Sequence, residues 1–188
     1  MTRQASVATV IAETRDWIEK AVIGLNLCPF AKAAYANGLI RYCVSEAQSK
    51  DALLVDLSRE LRALQAADPQ TCETTLLIHP SALAAFLEYN DFLDAAEAMV
   101  EALGLTGELQ LASFHPRYQF AGSGPDDIEN YTNRSPYPML HLLRESSVAR
   151  ATLAAADVAA IPARNMETLR RLGLEGWRRL GLAERGED

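Results

Sequence analysis

Apolar residues recur along this chain at two periods, helical and alternating, in an interleaved order. Val7, Val10, Ile11, Thr14, Trp17, Ile18, Ala21, Val22 and Leu25 keep helical spacing. That helix should end near Asn26, because Pro29 disfavours helical backbone at Cys28. Pro29 then suits the first turn of a short second helix, PFAKAAYAN, closed by Gly38. From Leu39 to Ser45 the period drops to two, with Ile40, Tyr42 and Val44 on one face and Arg41, Cys43 and Ser45 on the other, which predicts a strand.

Leu54, Leu57, Leu61 and Leu64 predict the next helix, stopped by Asp68-Pro69. Thr74 to Ile78 is a compact apolar strand, Ser81 to Leu103 is helical with a break at Asn90-Asp91 as an option, and Leu109 to Phe114 is a third strand. Tyr137 to Arg144 and Val158 to Leu172 carry helical patterns, and the tail ending in RGED should fray. A fourth strand at Tyr118 to Ala121 has weaker support.

Strands separated by helices are what parallel neighbours need. The expected fold is therefore α/β: a small, mostly parallel sheet of three or four strands flanked by helices, with extra helices at both termini. No linker or low-complexity run divides the 188 residues, so one domain is expected, with its core at about 5–172.

Composition narrows the partners. The net charge of -7 argues against nucleic-acid or anionic-membrane binding, both of which need a clustered positive field. No apolar run approaches the roughly 20 residues of a membrane span. Glu13, Arg15 and Asp16 interrupt any signal-peptide core, so a cytoplasmic location is expected. Cys28, Cys43 and Cys72 then stay reduced, and with no CxxC pair a zinc knuckle is not indicated. P-loop, GxGxxG, HExxH and GxSxG signatures are all missing.

Candidate chemistry concentrates in Ser113 to Glu145. This stretch holds four of the eight prolines and two of the three histidines, with Phe114, Tyr118, Phe120, Tyr131 and Tyr137 as anchors. An ordered polar loop of that kind is where function tends to sit. The second predicted strand ends LLIHP and the third ASFHP, so His79 and His115 occupy equivalent places, each directly after a strand. Parallel strands would bring both imidazoles to the carboxyl edge, where open α/β sheets bind ligands. There His79 and His115 would act as acid and base, or hold a divalent metal as the cofactor, with Asp127 as a further base.

Asn130 and Asn133 offer donors and acceptors to a polar ligand, and Arg134 offers a planar fork for carboxylate or phosphate. Ser135-Pro136 reads as a helix start beside Arg134, with Tyr137 and His141 sharing a face of that helix. Each of these residues also has a purely structural reading, as a cap, a turn or a packed ring. Cys28, at a predicted helix start, would have a lowered pKa and serve as a reactive thiol; burial among Leu25, Leu27 and Phe30 is the competing reading. The arginine pairs Arg170-Arg171 and Arg178-Arg179 read as complements to a helix dipole.

GLNLCPFA, TTLLIHP, NDFLDAAE, SFHPRYQFAG and TNRSPYPMLHLLRE together resemble an uncharacterised bacterial family known only as a domain of unknown function. The resemblance runs from about Thr14 to Leu172 and implies a cytoplasmic single-domain protein, without an activity or a catalytic residue. From the residues, two functions remain open. One is an enzyme acting on a small anionic metabolite through a His/Asp/Arg site, metal-assisted in one form. The other is a non-catalytic metabolite- or metal-binding accessory protein. The oligomeric state is not readable.

Overall fold

Four strands form one sheet in the order β1-β2-β4-β3: β1 Ile40–Val44, β2 Thr74–Ile78, β3 Leu109–Phe114 and β4 Met139–Arg144. The fold comes from a computed structural model, which describes residues 5–154 and 159–183. The expected tail after Ala183 and the expected helix start at Val158 lie outside the described residues. No helix among the described residues is long and apolar enough to cross a membrane.

β1 and β2 pair in parallel, as the helical crossover predicts. The expectation of a mostly parallel sheet is corrected by β4, which pairs antiparallel with both β2 and β3. β1, β2 and β3 still run the same way; β4 is threaded between the last two in the opposite sense. It occupies residues read from sequence as a helix. Met139, Leu140, Leu142 and Leu143 are all buried, because this strand is covered on both faces. Such a strand gives a continuous apolar run, which periodicity does not separate from a buried helix. Ser135-Pro136 accordingly starts no helix: Ser135 Oγ donates to the carbonyl of Tyr137, 2.7 Å away, inside the entry to β4. Tyr118 to Ala121 is irregular.

Helices cover both faces. α1 (Val7–Trp17) continues as a π-type stretch, Ile18–Ile23, and α2 (Ala31–Ala36) follows. α3 (Lys50–Ala66) starts on Ser49, whose side chain accepts from Ala52 N–H at 3.2 Å. Leu53, Leu57, Leu61 and Leu64 form its buried stripe against Leu77, Leu140 and Leu142. Glu60 sits in that stripe at 2 % exposure and is held by Arg41 of β1, Nε to Oε2, at 2.8 Å. α4 (Phe86–Ala102) is unbroken at Asn90-Asp91 and packs on the same face. α5 (Glu145–Ala154) follows β4, and α6 (Ile161–Arg178) breaks at Gly173, where φ is +66°. The opposite face carries Leu76, Ile78, Met139 and Phe114 against Val10, Trp17, Leu169 and Trp177.

Candidate functional site

His79 and His115 leave the sheet at one edge, and both rings contact Tyr89. The ring centroids lie 5.8 Å and 5.0 Å from that of Tyr89. The Tyr89 hydroxyl donates to the carbonyl of Met139 at 2.8 Å and accepts from Phe114 N–H at 3.0 Å, tying α4 to β3 and β4. Both imidazoles are fully buried. Nδ1 of His79 donates to the carbonyl of Ala82 at 3.0 Å, leaving Nε2 as a buried acceptor with no partner. His115 has no ring nitrogen to spare. Nε2 donates to the carbonyl of Leu83 at 3.1 Å, and Nδ1 accepts from Arg117 N–H at 3.0 Å. Burial lowers both pKa values from 6.5 to about 4, so both rings are neutral at neutral pH.

The loop between β3 and β4 is organised by Asn130, which is fully buried. Its Oδ1 accepts from Phe120 N–H at 3.0 Å and from Ser123 Oγ at 2.7 Å, and its Nδ2 donates to the carbonyl of Gly124 at 2.7 Å. Gly122 supplies the positive φ, +81°, that the turn needs. Asp127 accepts from Gly124 N–H at 2.7 Å, just before the short 3-10 helix Ile128–Thr132. Asn133 Nδ2 donates to the carbonyl of Ser113 at 3.0 Å. Arg134 clasps the loop from outside, donating to the carbonyls of Tyr118 and Pro125 with its guanidinium 4.2 Å from the centre of the Tyr131 ring. Tyr137 is buried on the Trp17 side of the sheet, its hydroxyl on Glu13.

Two clefts flank this loop. The first, about 680 Å³, lies over the sheet face, between the Leu27–Phe30 segment, the loop and the start of α6. Cys28, Asp127, Asn133 and His141, all singled out from sequence, line it together. Its lining is otherwise mostly apolar and contains no Lys or Arg. The second, about 690 Å³, opens at the carboxyl edge and includes Arg134 and Ser135. His79, His115, Asn130 and Tyr137 line neither.

His141 is the chemically distinct group of the first cleft. It sits on β4 in the middle of the sheet, opposite Leu76 and Ala112, and not on a helix beside Tyr137. Thr74 Oγ1 donates its single proton to the carbonyl of Leu142 at 2.6 Å. The 2.7 Å contact between that hydroxyl and His141 Nε2 must therefore be an Nε2–H donation. The ring is fixed as the Nε2–H tautomer, with Nδ1 left as a free acceptor. Phe30 stacks on it at 6.3 Å and Phe114 lies at 6.2 Å. Burial brings its pKa down from 6.5 to about 4.

Cys28 is two residues before Phe30 and half-buried. Burial pushes its thiol pKa up, opposed by the backbone N–H groups of Phe30 and Ala31. The thiol is thus protonated at neutral pH, contrary to the lowered pKa expected of a helix start; desolvation outweighs the dipole of a six-residue helix. Sequence reasoning missed Thr74, which orients His141, and Asn165 of α6, whose Nδ2 donates to the carbonyl of Leu27 at 2.8 Å. Neither is visible until β4 is recognised as a strand and α6 is docked. Among the described residues no group of three or more His, Cys, Asp or Glu is placed to hold a metal ion. His79 and His115 would bring only one free ring nitrogen to such a site.

The class defined by this geometry is an α/β protein with one inserted antiparallel strand and two loop-roofed clefts. Residues 9–179 match the model of the family described as protein of unknown function (DUF1415), and the chain belongs to that family. Comparison with curated proteins and with solved structures gives no match.

Proposed function

We propose that this protein binds a small, largely apolar molecule in the cleft over the sheet face, and that His141 Nδ1 accepts a hydrogen bond from a donor on that molecule. The tautomer of His141 carries this reading. A sheet face packed with Leu, Ile, Met and Phe has no packing need for an imidazole at its centre. Here one is held by a buried hydroxyl so that its single free nitrogen stays available in a cleft. Apolar walls with a few placed polar groups are the usual make-up of a small-molecule site. Ser123, Asp127, Glu129, Thr132, Asn133 and Asn165 are the other polar side chains on the wall. The anionic form of the ligand expected from sequence finds no cationic partner in this cleft.

An enzyme is the second reading, favoured by the presence of Cys28 on the same wall. A base whose conjugate acid titrates near 4 is far from the optimum for proton transfer at neutral pH, so binding is placed first. A metabolite library screened by thermal shift tests both readings. Uncharged, largely apolar ligands that stabilise the wild type should bind His141→Leu about 10- to 100-fold more weakly, because a buried donor loses its acceptor. Recovery of the ligand unchanged supports binding, and conversion supports the enzyme. Equal affinity for the wild type and His141→Leu overturns the assignment of His141.

A further inference from the structure

The cleft at the carboxyl edge has a different chemistry, and it stands apart from the His141 cleft. Trp17, Phe86, Arg117, Arg134, Trp177 and Arg178 line it. Its charged lining is three arginines against one acid, Asp126, in a chain whose net charge is -7. The charge of this lining is therefore opposite in sign to that of the chain.

The guanidinium groups are only partly used. Arg117 donates one Nη2 bond, to the carbonyl of Ala84 at 2.7 Å. Arg134 spends Nε and Nη2 on the carbonyls of Tyr118 and Pro125. Arg178 is exposed, and its guanidinium makes no hydrogen bond or ion pair among the described residues. Its neighbours differ: Arg170 pairs with Glu129, Arg171 with Glu167 and Arg179 with Glu175. Each guanidinium carries five N–H donors, so Nη1 of Arg117 and Arg134 and the whole fork of Arg178 remain for an outside acceptor. Half-buried Phe86 and exposed Leu87 bring apolar surface to the lining beside them, whereas Trp17 and Trp177 are almost fully buried. Tyr131 meets Trp177 edge-on at 4.9 Å and carries Arg134 over its ring, while Phe86 stands at the start of α4.

We propose that this cleft is a binding site for a small aromatic anion, a planar ring bearing a phosphate or carboxylate. Arg117 and Arg178 grip the anionic head, and the ring lies against Phe86. Forked guanidinium donors match such heads, and aromatic walls take the ring. Arg134 holds the loop that forms the far wall, as a positioning residue.

The chain has two tryptophans and both line this cleft, so intrinsic tryptophan emission reports on it without labelling. Phenyl phosphate should change that emission saturably, more tightly than inorganic phosphate or benzyl alcohol, and with weaker binding at high salt. Arg178→Gln, which removes no side-chain hydrogen bond or ion pair among the described residues, should weaken phenyl phosphate about tenfold with an unfolding midpoint near wild type, and Arg117→Gln/Arg178→Gln, which also gives up the bond to the Ala84 carbonyl, should weaken it further while still unfolding cooperatively. His141→Leu should leave this titration unchanged, which separates it from the other cleft. No saturable change, equal affinity for benzyl alcohol or inorganic phosphate, or wild-type affinity in the double variant overturns the proposal.

Discussion

Lowering the pH from about 7 to about 4.5 should unfold this protein, well before its carboxylates are all protonated. All three histidines have their pKa lowered by burial from 6.5 to about 4. In the unfolded chain each would take up a proton near pH 6.5; in the folded chain each stays neutral until about pH 4. Between those values the unfolded state binds more protons, so stability falls as the pH falls. It is fully present above about 6.5 and is lost through the window down to about 4. A shift of that size is worth on the order of 3 kcal/mol per ring, or about 6 kcal/mol for the fully buried His79 and His115 together. His141, at the wall of a cleft, adds a smaller share. A domain of this size is stable by about 5–15 kcal/mol, so the loss decides whether it stays folded. Urea unfolding at a series of pH values measures it directly. His79→Leu, although less stable overall, should show a slope shallower by about one proton. A stability that is flat across the window would mean that the rings are not buried as described.

The second large effect is expected at Asn130. Asn130→Ala removes one acceptor and one donor that serve three partners in the loop, Phe120 N–H, Ser123 Oγ and the carbonyl of Gly124. A cost of about 3 kcal/mol follows from leaving these groups unpaired. The functional loss should exceed the loss of stability, because this one loop walls both clefts. Phe120 and Asn133 face the first, and Arg117 and Arg134 the second. Hydrogen exchange should show residues 118–133 deprotected while β1 and β2 remain protected, and ligands of both clefts should weaken together. Loss of only one binding activity would show that the loop is not held as a unit by Asn130.

Local patterns carried much of the fold. Pro29, Gly38 and Asp68-Pro69 mark element ends close to where they are found, β1 follows from alternation, and β2 and β3 from short segments between helical patterns. The LLIHP and ASFHP endings placed two imidazoles at one edge because the strands bearing them run the same way. What was not legible was non-local. A six-residue apolar segment buried on both faces, MLHLLR, has no period of its own, and only its pairing with β2 and β3 makes it a strand. That one misreading moved His141 from a helix surface to the centre of the sheet. It also hid Thr74, because the two meet diagonally across a ladder between residues 67 apart. The loop's polar residues were visible as a group, but the division of labour among them was not. Asn130 holds the loop and lines neither cleft, whereas Asp127, Asn133 and Arg134 each hold backbone and also line a cleft.

The state of the His141 ring is the point on which the proposed binding site depends, and nitrogen-detected NMR of the three imidazoles reads it without a ligand. At neutral pH, His141 and His115 should both be neutral with the proton on Nε2, and His79 neutral with the proton on Nδ1. The unprotonated Nδ1 of His141 should shift when a molecule from the thermal-shift screen is added. A His141 that is protonated on Nδ1, or doubly protonated, at that pH would contradict the account, because the cleft would then lack its acceptor.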